Sequence, residues 1–169
     1  MGEQSVCAPV AVIAVGNPSR GDDALGPALL ARFADWLATE GRSDDFELIE
    51  DFQLQIEHAV DLRGRALVLF IDAMMPCGEA FRFAPVQPLA GLTHTSHALS
   101  PEAVLMVYGK TYGEAPPPAF VLGIGGEAFE LGEPLSPMAA AHLEAAFGKL
   151  CQLAREARPE AWAGQVEFS

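Results

Sequence analysis

Positive charge is scarce in this chain. Ten Lys and Arg stand against 23 Asp and Glu, for a formal net charge of −13 and a sequence pI of about 4.5. A polyanion repels phosphate backbones, so no nucleic-acid partner is expected; a basic protein or a cationic metal is compatible with the charge. Acidity also simply keeps a protein soluble, the plainer reading of the same number. Cysteine is scarce too. Cys7, Cys77 and Cys151 are odd in number and widely spaced. They fit neither a zinc pair nor a disulfide framework, and a reducing cytoplasm is the expected compartment. No apolar run is long enough for a bilayer. Residues 8–15 are apolar, but no basic stretch precedes them and a glycine turn follows. They read as a first buried strand, neither signal peptide nor membrane anchor. The G-x-G-x-x-G fingerprint, the Lys-Ser/Thr ending of a P-loop and the G-x-S-x-G elbow are all missing. That argues against a nucleotide-binding domain and against a serine hydrolase.

Half of the 169 residues are hydrophobic, enough for one domain (1–169) to build a core without disulfides or a structural metal. Residues 8–15 predict a strand ending at Gly16-Asn17-Pro18, and residues 24–39 a helix with Leu25, Leu29, Leu30, Phe33, Trp36 and Leu37 on one stripe. Strands are expected at 46–49, 66–73 and 120–124, with an edge or antiparallel strand at 79–86. Helices are expected at 55–62, from Ser100-Pro101 to about 108, and from Ser136-Pro137 to about 156, the serines as N-caps with proline at the first helical position. The tail after about residue 158 shows no pattern and is expected to be loosely held. The order β-α-β-α-β-β-α-β-α implies an α/β three-layer sandwich: a twisted, mostly parallel sheet of about five strands with helices on both faces. No apolar helix face is left over, so a monomer is expected. Ligands of such sheets bind beyond the carboxyl ends of the strands where the strand order reverses, here between the first and third strands. The loop 16–23 and Asp72 then share one rim.

Three segments on that rim carry chemistry. The loop Gly16-Asn17-Pro18-Ser19-Arg20-Gly21-Asp22-Asp23 has two carboxylates at a helix start, suited to a cation rather than a phosphate. The plainer reading is capping, with Asp22 as N-cap and Asp23 in the first turn. Asp72 is a lone carboxylate at the end of an apolar strand, costly to ionise unless paired or metal-bound; otherwise it caps the turn at Met74-Met75-Pro76. His94 and His97 lie in a polar stretch before a helix and are not told apart by spacing. Two surface histidines are the plainer reading. Asp23, Asp72 and His97 together make a three-ligand set with open positions. His58 and His142 fall on predicted helices and read as structural or solvated. Cys77 has no partner histidine that would make it a nucleophile.

Taken together, these motifs resemble those of the hydrogenase maturation protease family. Gly16-Asn17, Asp22-Asp23 and Gly26 after an apolar strand match its opening signature, and the strand ending in Asp72-Ala73 its second motif. Ser96-His97 before the Ser100-Pro101 helix matches the third, and residues 126–132 followed by Leu135-Ser136-Pro137 its C-terminal region. The resemblance spans residues 11 to about 150. It implies an endopeptidase that removes the C-terminal extension of a nickel–iron hydrogenase large-subunit precursor once nickel is inserted. It also implies that Asp23, Asp72 and His97 contact nickel carried by the substrate, with no permanently bound organic cofactor. A non-catalytic, nickel-sensing chaperone with the same three residues is the rival reading. One segment departs from the family pattern. Where many members have Gly-Gly-Thr after the second strand, this chain has Phe52-Gln53-Leu54-Gln55-Ile56-Glu57. That variant is similar to the subgroup serving soluble, NAD-reducing hydrogenases, and it nominates Gln53 and Glu57 as selectivity residues. Helix-start polarity is the plainer reading of both. The short Asp23, where many members have Glu, implies a different metal geometry.

Overall fold

Apolar residues fill both faces of the central strands, and the fold follows from the need to cover both. The computed structural model describes residues 7–75, 78–89 and 99–166. Five strands, β1 (Val10–Val15), β2 (Phe46–Asp51), β3 (Leu67–Met74), β4 (Phe81–Val86) and β5 (Ala119–Gly125), form one sheet in the order β2-β1-β3-β5-β4. All pairs are parallel except β4 with β5. β4 is thus both an edge strand and the antiparallel one, and Pro85 is tolerated there because an edge leaves one side unpaired.

Period-two alternation divides the strands between two cores. Val10, Val12, Leu67, Leu69, Ile71, Leu122 and Ile124 face α1 (Leu25–Glu40) and α4 (Pro137–Arg155), against Leu29, Phe33, Leu143 and Leu150. Ile13, Val68 and Phe70 face α2 (His58–Asp61) and α3 (Pro101–Tyr112), against Leu62, Val104, Leu105 and Tyr108. Each fully buried Leu, Ile or Phe contributes about 1.5–3 kcal/mol relative to exposure. Three layers result, as the sequence predicts. Both serine caps form. Ser100 Oγ accepts from Ala103 N at 3.2 Å and Ser136 Oγ from Ala139 N at 3.1 Å, each with proline in the first turn.

Three expectations need correction. The helix predicted over 55–62 shrinks to the single turn α2, because the residues before it close i to i+3 turns, His58 N to Gln55 O and Ala59 N to Ile56 O, while His58 Nδ1 accepts the Gln55 N–H at 2.8 Å and Leu54 is buried. The segment after 158 is not loose through residue 166. It forms α5 (Pro159–Ala163), whose Trp162 is fully buried, donates from Nε1 to Leu153 O at 2.9 Å, and meets Phe83 and Phe120 edge-on at 5.9 and 5.5 Å. A lone aromatic with no helical stripe beside it left no periodic signal. α3 also runs beyond the predicted 108, since Tyr112 packs against Tyr108 with the rings tilted and their centroids 4.9 Å apart before Gly113 closes the helix.

Candidate active site

β1 and β3 are neighbours, while β2 and β5 lie to either side of them, so the strand order reverses between β1 and β3 as expected. The loop leaving β1 folds tightly over that point. Gly16 has φ +148°, and a Cβ there would stand 2.0 Å from Asp23 O, so no other residue fits. Asn17 Oδ1 accepts from Ser19 N at 2.9 Å, and Asp23 Oδ2 reaches back to accept from Asn17 N at 2.7 Å. Gly26, in the first turn of α1, rests on the strand ends; a Cβ there would meet Val15 O at 2.4 Å and Ile71 O at 3.4 Å. This close approach sets the start of α1 across the carboxyl ends of β1 and β3, with Asp23 half-buried next to the end of β3.

Asp72 occupies that end and keeps an exposed face. Its carboxyl is nevertheless pushed up to about 7. The protein crowded behind it removes solvation, the Ala73 backbone N–H partly offsets this, and the negative charge of Asp23 raises it further. The two carboxylates predicted to share a rim therefore do so, close enough to repel. His97, the third member of the predicted set, lies outside the described residues, as do His94 and Cys77. Among the described residues no group of three His, Cys, Asp or Glu is placed to hold a metal.

Asp22 behaves differently, and the capping expectation fails for it. Neither the 3-10 turn Gly21–Ala24 nor α1 has a side-chain N-cap bond. Asp22 is fully buried and accepts four hydrogen bonds from the far end of the chain: Glu127 N at 2.8 Å, Ala128 N at 3.0 Å, Ser136 N at 2.7 Å and Ser136 Oγ at 2.7 Å. Burial alone would raise its pKa, but these donors outweigh burial and hold the carboxyl below its ordinary value. Backbone bonds from Gly21 N to Glu133 O and from Gly132 N to Ser19 O complete the seam between the loops after β1 and β5. Asp22 thus ties the rim together, a role no local pattern announces.

The β2 side of the rim holds a second buried polar group. His58, read from the sequence as structural or solvated, is buried; its Nε2 lies 3.4 Å from Asp51 Oδ2, and Asp51 Oδ1 accepts from Phe52 N at 2.7 Å. These bonds and the buried Leu54 fix the segment 52–57 against the sheet, with Gln53 and Glu57 exposed on it. His142 Nδ1 is 2.8 Å from Gly125 O, a contact its Nδ1–H tautomer makes as donor, so it braces the end of β5. A groove of about 560 Å³ opens at the opposite end of the sheet, lined among others by Pro85, Pro117, Pro118 and Phe120. It is lined by no acid and no imidazole.

No protein-family model matches the chain, and no curated protein matches it. Solved structures do. The NiFe hydrogenase maturation protease HycI from Thermococcus kodakarensis KOD1 superposes with a TM-score of 0.64 at 22% identity, over 90% of this chain and 96% of that one. The hydrogenase maturating endopeptidase HybD from E. coli gives 0.64 at 22%, over 88% and 93%. A hydrogenase 2 maturation peptidase from Thaumarchaeota archaeon SCGC_AB-539-E09 gives 0.57 at 21%, over 86% and 97%. The fold is that of the hydrogenase maturation proteases. At such identities the likeness establishes shared architecture, and the chain spans nearly the full length of each. No helix of the described residues is long and apolar enough to cross a membrane.

Proposed function

We propose that this protein is an endopeptidase that removes the C-terminal extension of a nickel–iron hydrogenase large-subunit precursor after nickel insertion. The observation that carries the reading is the pair Asp23 and Asp72, near enough for the charge of one to raise the other, at the strand-order reversal of a maturation-protease fold. Two mutually repelling carboxylates favour a cation between them. The cation arrives with the substrate, as the nickel of the precursor. Asp23, Asp72 and, by the family resemblance, His97 contact it, and that contact seats the extension across the rim.

Hydrolysis then needs a water, a base and a proton for the leaving amine. The water is polarised by the metal or by a carboxylate, and its oxygen adds to the scissile carbonyl carbon. A carboxylate of the rim takes the water's proton and passes it to the amide nitrogen as the C–N bond breaks. The products are a new C-terminal carboxylate on the large subunit and a free amine on the released peptide. Gln53 and Glu57 border the rim and are the proposed selectivity residues, the partner being the precursor of a soluble, NAD-reducing hydrogenase. The protein works in the cytoplasm as a monomer and carries no resident organic cofactor.

The test is the intact mass of such a precursor after incubation with the protein, with and without prior nickel loading. Loss of a C-terminal peptide only from the nickel-loaded sample is expected. Binding without any mass change would instead make the protein a nickel-sensing assembly chaperone.

A further inference from the structure

Six large hydrophobic side chains stand exposed among the described residues, and four of them share the carboxylate end of the sheet. Phe52 (69% exposed) and Ile56 (62%) follow β2, and Met75 (70%) follows β3. Leu131 (66%) follows β5 on the loop whose Gly132 N bonds Ser19 O beside Asp22. β2, β3 and β5 all end on the same side, because the pairs linking them, β2 with β1, β1 with β3 and β3 with β5, are all parallel. The four apolar groups therefore form a collar across the parallel part of the sheet, around Asp23 and Asp72. The segments presenting them are held from below, by Leu54 and His58 on one side and by the Asp22 hydrogen bonds on the other. Exposed apolar groups on anchored loops make a docking surface that needs little ordering on contact.

Charge says what docks. The exposed side chains between the collar members include Glu57, Glu127, Glu130 and Glu133. A second copy of this chain, itself carrying −13, would set carboxylates against carboxylates. Resting on the proteolytic reading above, we infer that this apolar collar with its acidic surround docks the folded body of the protein substrate. The docked surface is an apolar patch flanked by Lys and Arg, distinct from the extension that is cut.

The experiment measures the dissociation constant of the nickel-loaded large-subunit precursor for the wild-type protein and two variants at two salt concentrations, alongside the cleavage assay. Phe52→Ser with Leu131→Ser should weaken binding at least tenfold at either salt. Glu57→Lys with Glu130→Lys should weaken it comparably at low salt, and less at high salt, where the charges are screened. Both variants should melt like the wild type, since none of the four side chains is buried. Unchanged binding by both variants overturns the collar and leaves proteolysis standing. Loss of binding by the variants, with no cleavage by a wild type that still binds, supports the collar and overturns proteolysis. Sedimentation that finds a wild-type dimer abolished by Phe52→Ser with Leu131→Ser would assign the surface to self-association and overturn the inference.

Discussion

Asp22 sits in a cradle of four hydrogen bonds with no surface open to water, whereas Asp72, on the same rim, keeps an exposed face and is opposed by the charge of Asp23. Their carboxyls move in opposite directions, Asp22 below its ordinary value and Asp72 up to about 7. Where the fold supplies four donors the charge is structural; where it supplies one backbone N–H and sets a second carboxylate nearby, the charge stays costly, and on the proposed reading it is kept for an incoming cation. Adjacent acids in a sequence can thus serve different purposes, and Asp22-Asp23 divides between them.

The sharpest way to break this contrast is to remove each acid in turn. Asp72→Ala or Asp23→Ala should reduce processing of the nickel-loaded precursor by roughly a thousandfold, as expected when a metal-contacting group is lost. The melting temperature should change little for Asp72→Ala and fall only modestly for Asp23→Ala, which loses the bond to Asn17 N. Asp22→Ala should act on stability instead, costing about 3–5 kcal/mol because four polar groups lose a buried partner. Calorimetry would then register a fall of roughly 10 °C for a chain of this size. A stable Asp22→Ala protein that fails to process would reverse the assigned roles.

Acidity sharpens the comparison further. Binding a cation requires ionised Asp72, so processing should fall about tenfold per pH unit below about 7. Stability runs the other way for this group. Its native pKa lies above the ordinary 3.8, so the folded state gains as pH falls through about 7 towards 4. Asp72→Asn should therefore raise the melting temperature at pH 8 and leave it unchanged at pH 3, a small gain because the carboxyl keeps an open face to water. Asp22 has the opposite sign. Its stabilisation is complete above about 4 and is lost as pH falls through its depressed native value, so Asp22→Asn should flatten the acid limb of the stability curve. The smallest effect belongs to selectivity. Gln53→Ala should change the ratio of rates on two hydrogenase precursors by a few fold, read in a competition assay, without touching turnover of the preferred one beyond about twofold.

Much of the architecture is legible in the residues because the strands are apolar on both faces. β1, β3 and β5 have to be interior strands, and interior parallel strands dictate both helical layers and the position of the rim. Asp72 stands out because it ends such a strand. Long-range bonds leave no such mark. The donors to Asp22 come from 105 to 114 residues away, so only local capping was visible in the sequence. Trp162 is similar: a single aromatic after a helix break has no period, although it fills the space over Phe83 and Phe120. The short α2 follows a segment that closes tighter turns, His58 N to Gln55 O, Ala59 N to Ile56 O and Val60 N to Glu57 O, instead of a regular α-helical ladder.

Carbon-detected NMR titration of the aspartate carboxyls, with and without nickel(II), tests the central contrast most directly. Asp72 should titrate near 7 without metal and shift sharply downward when nickel(II) is added, while Asp22 stays ionised below pH 3.8 and does not respond. An Asp72 that titrates near 4 and ignores nickel(II) would contradict the account, because the rim would then hold no carboxylate reserved for a cation.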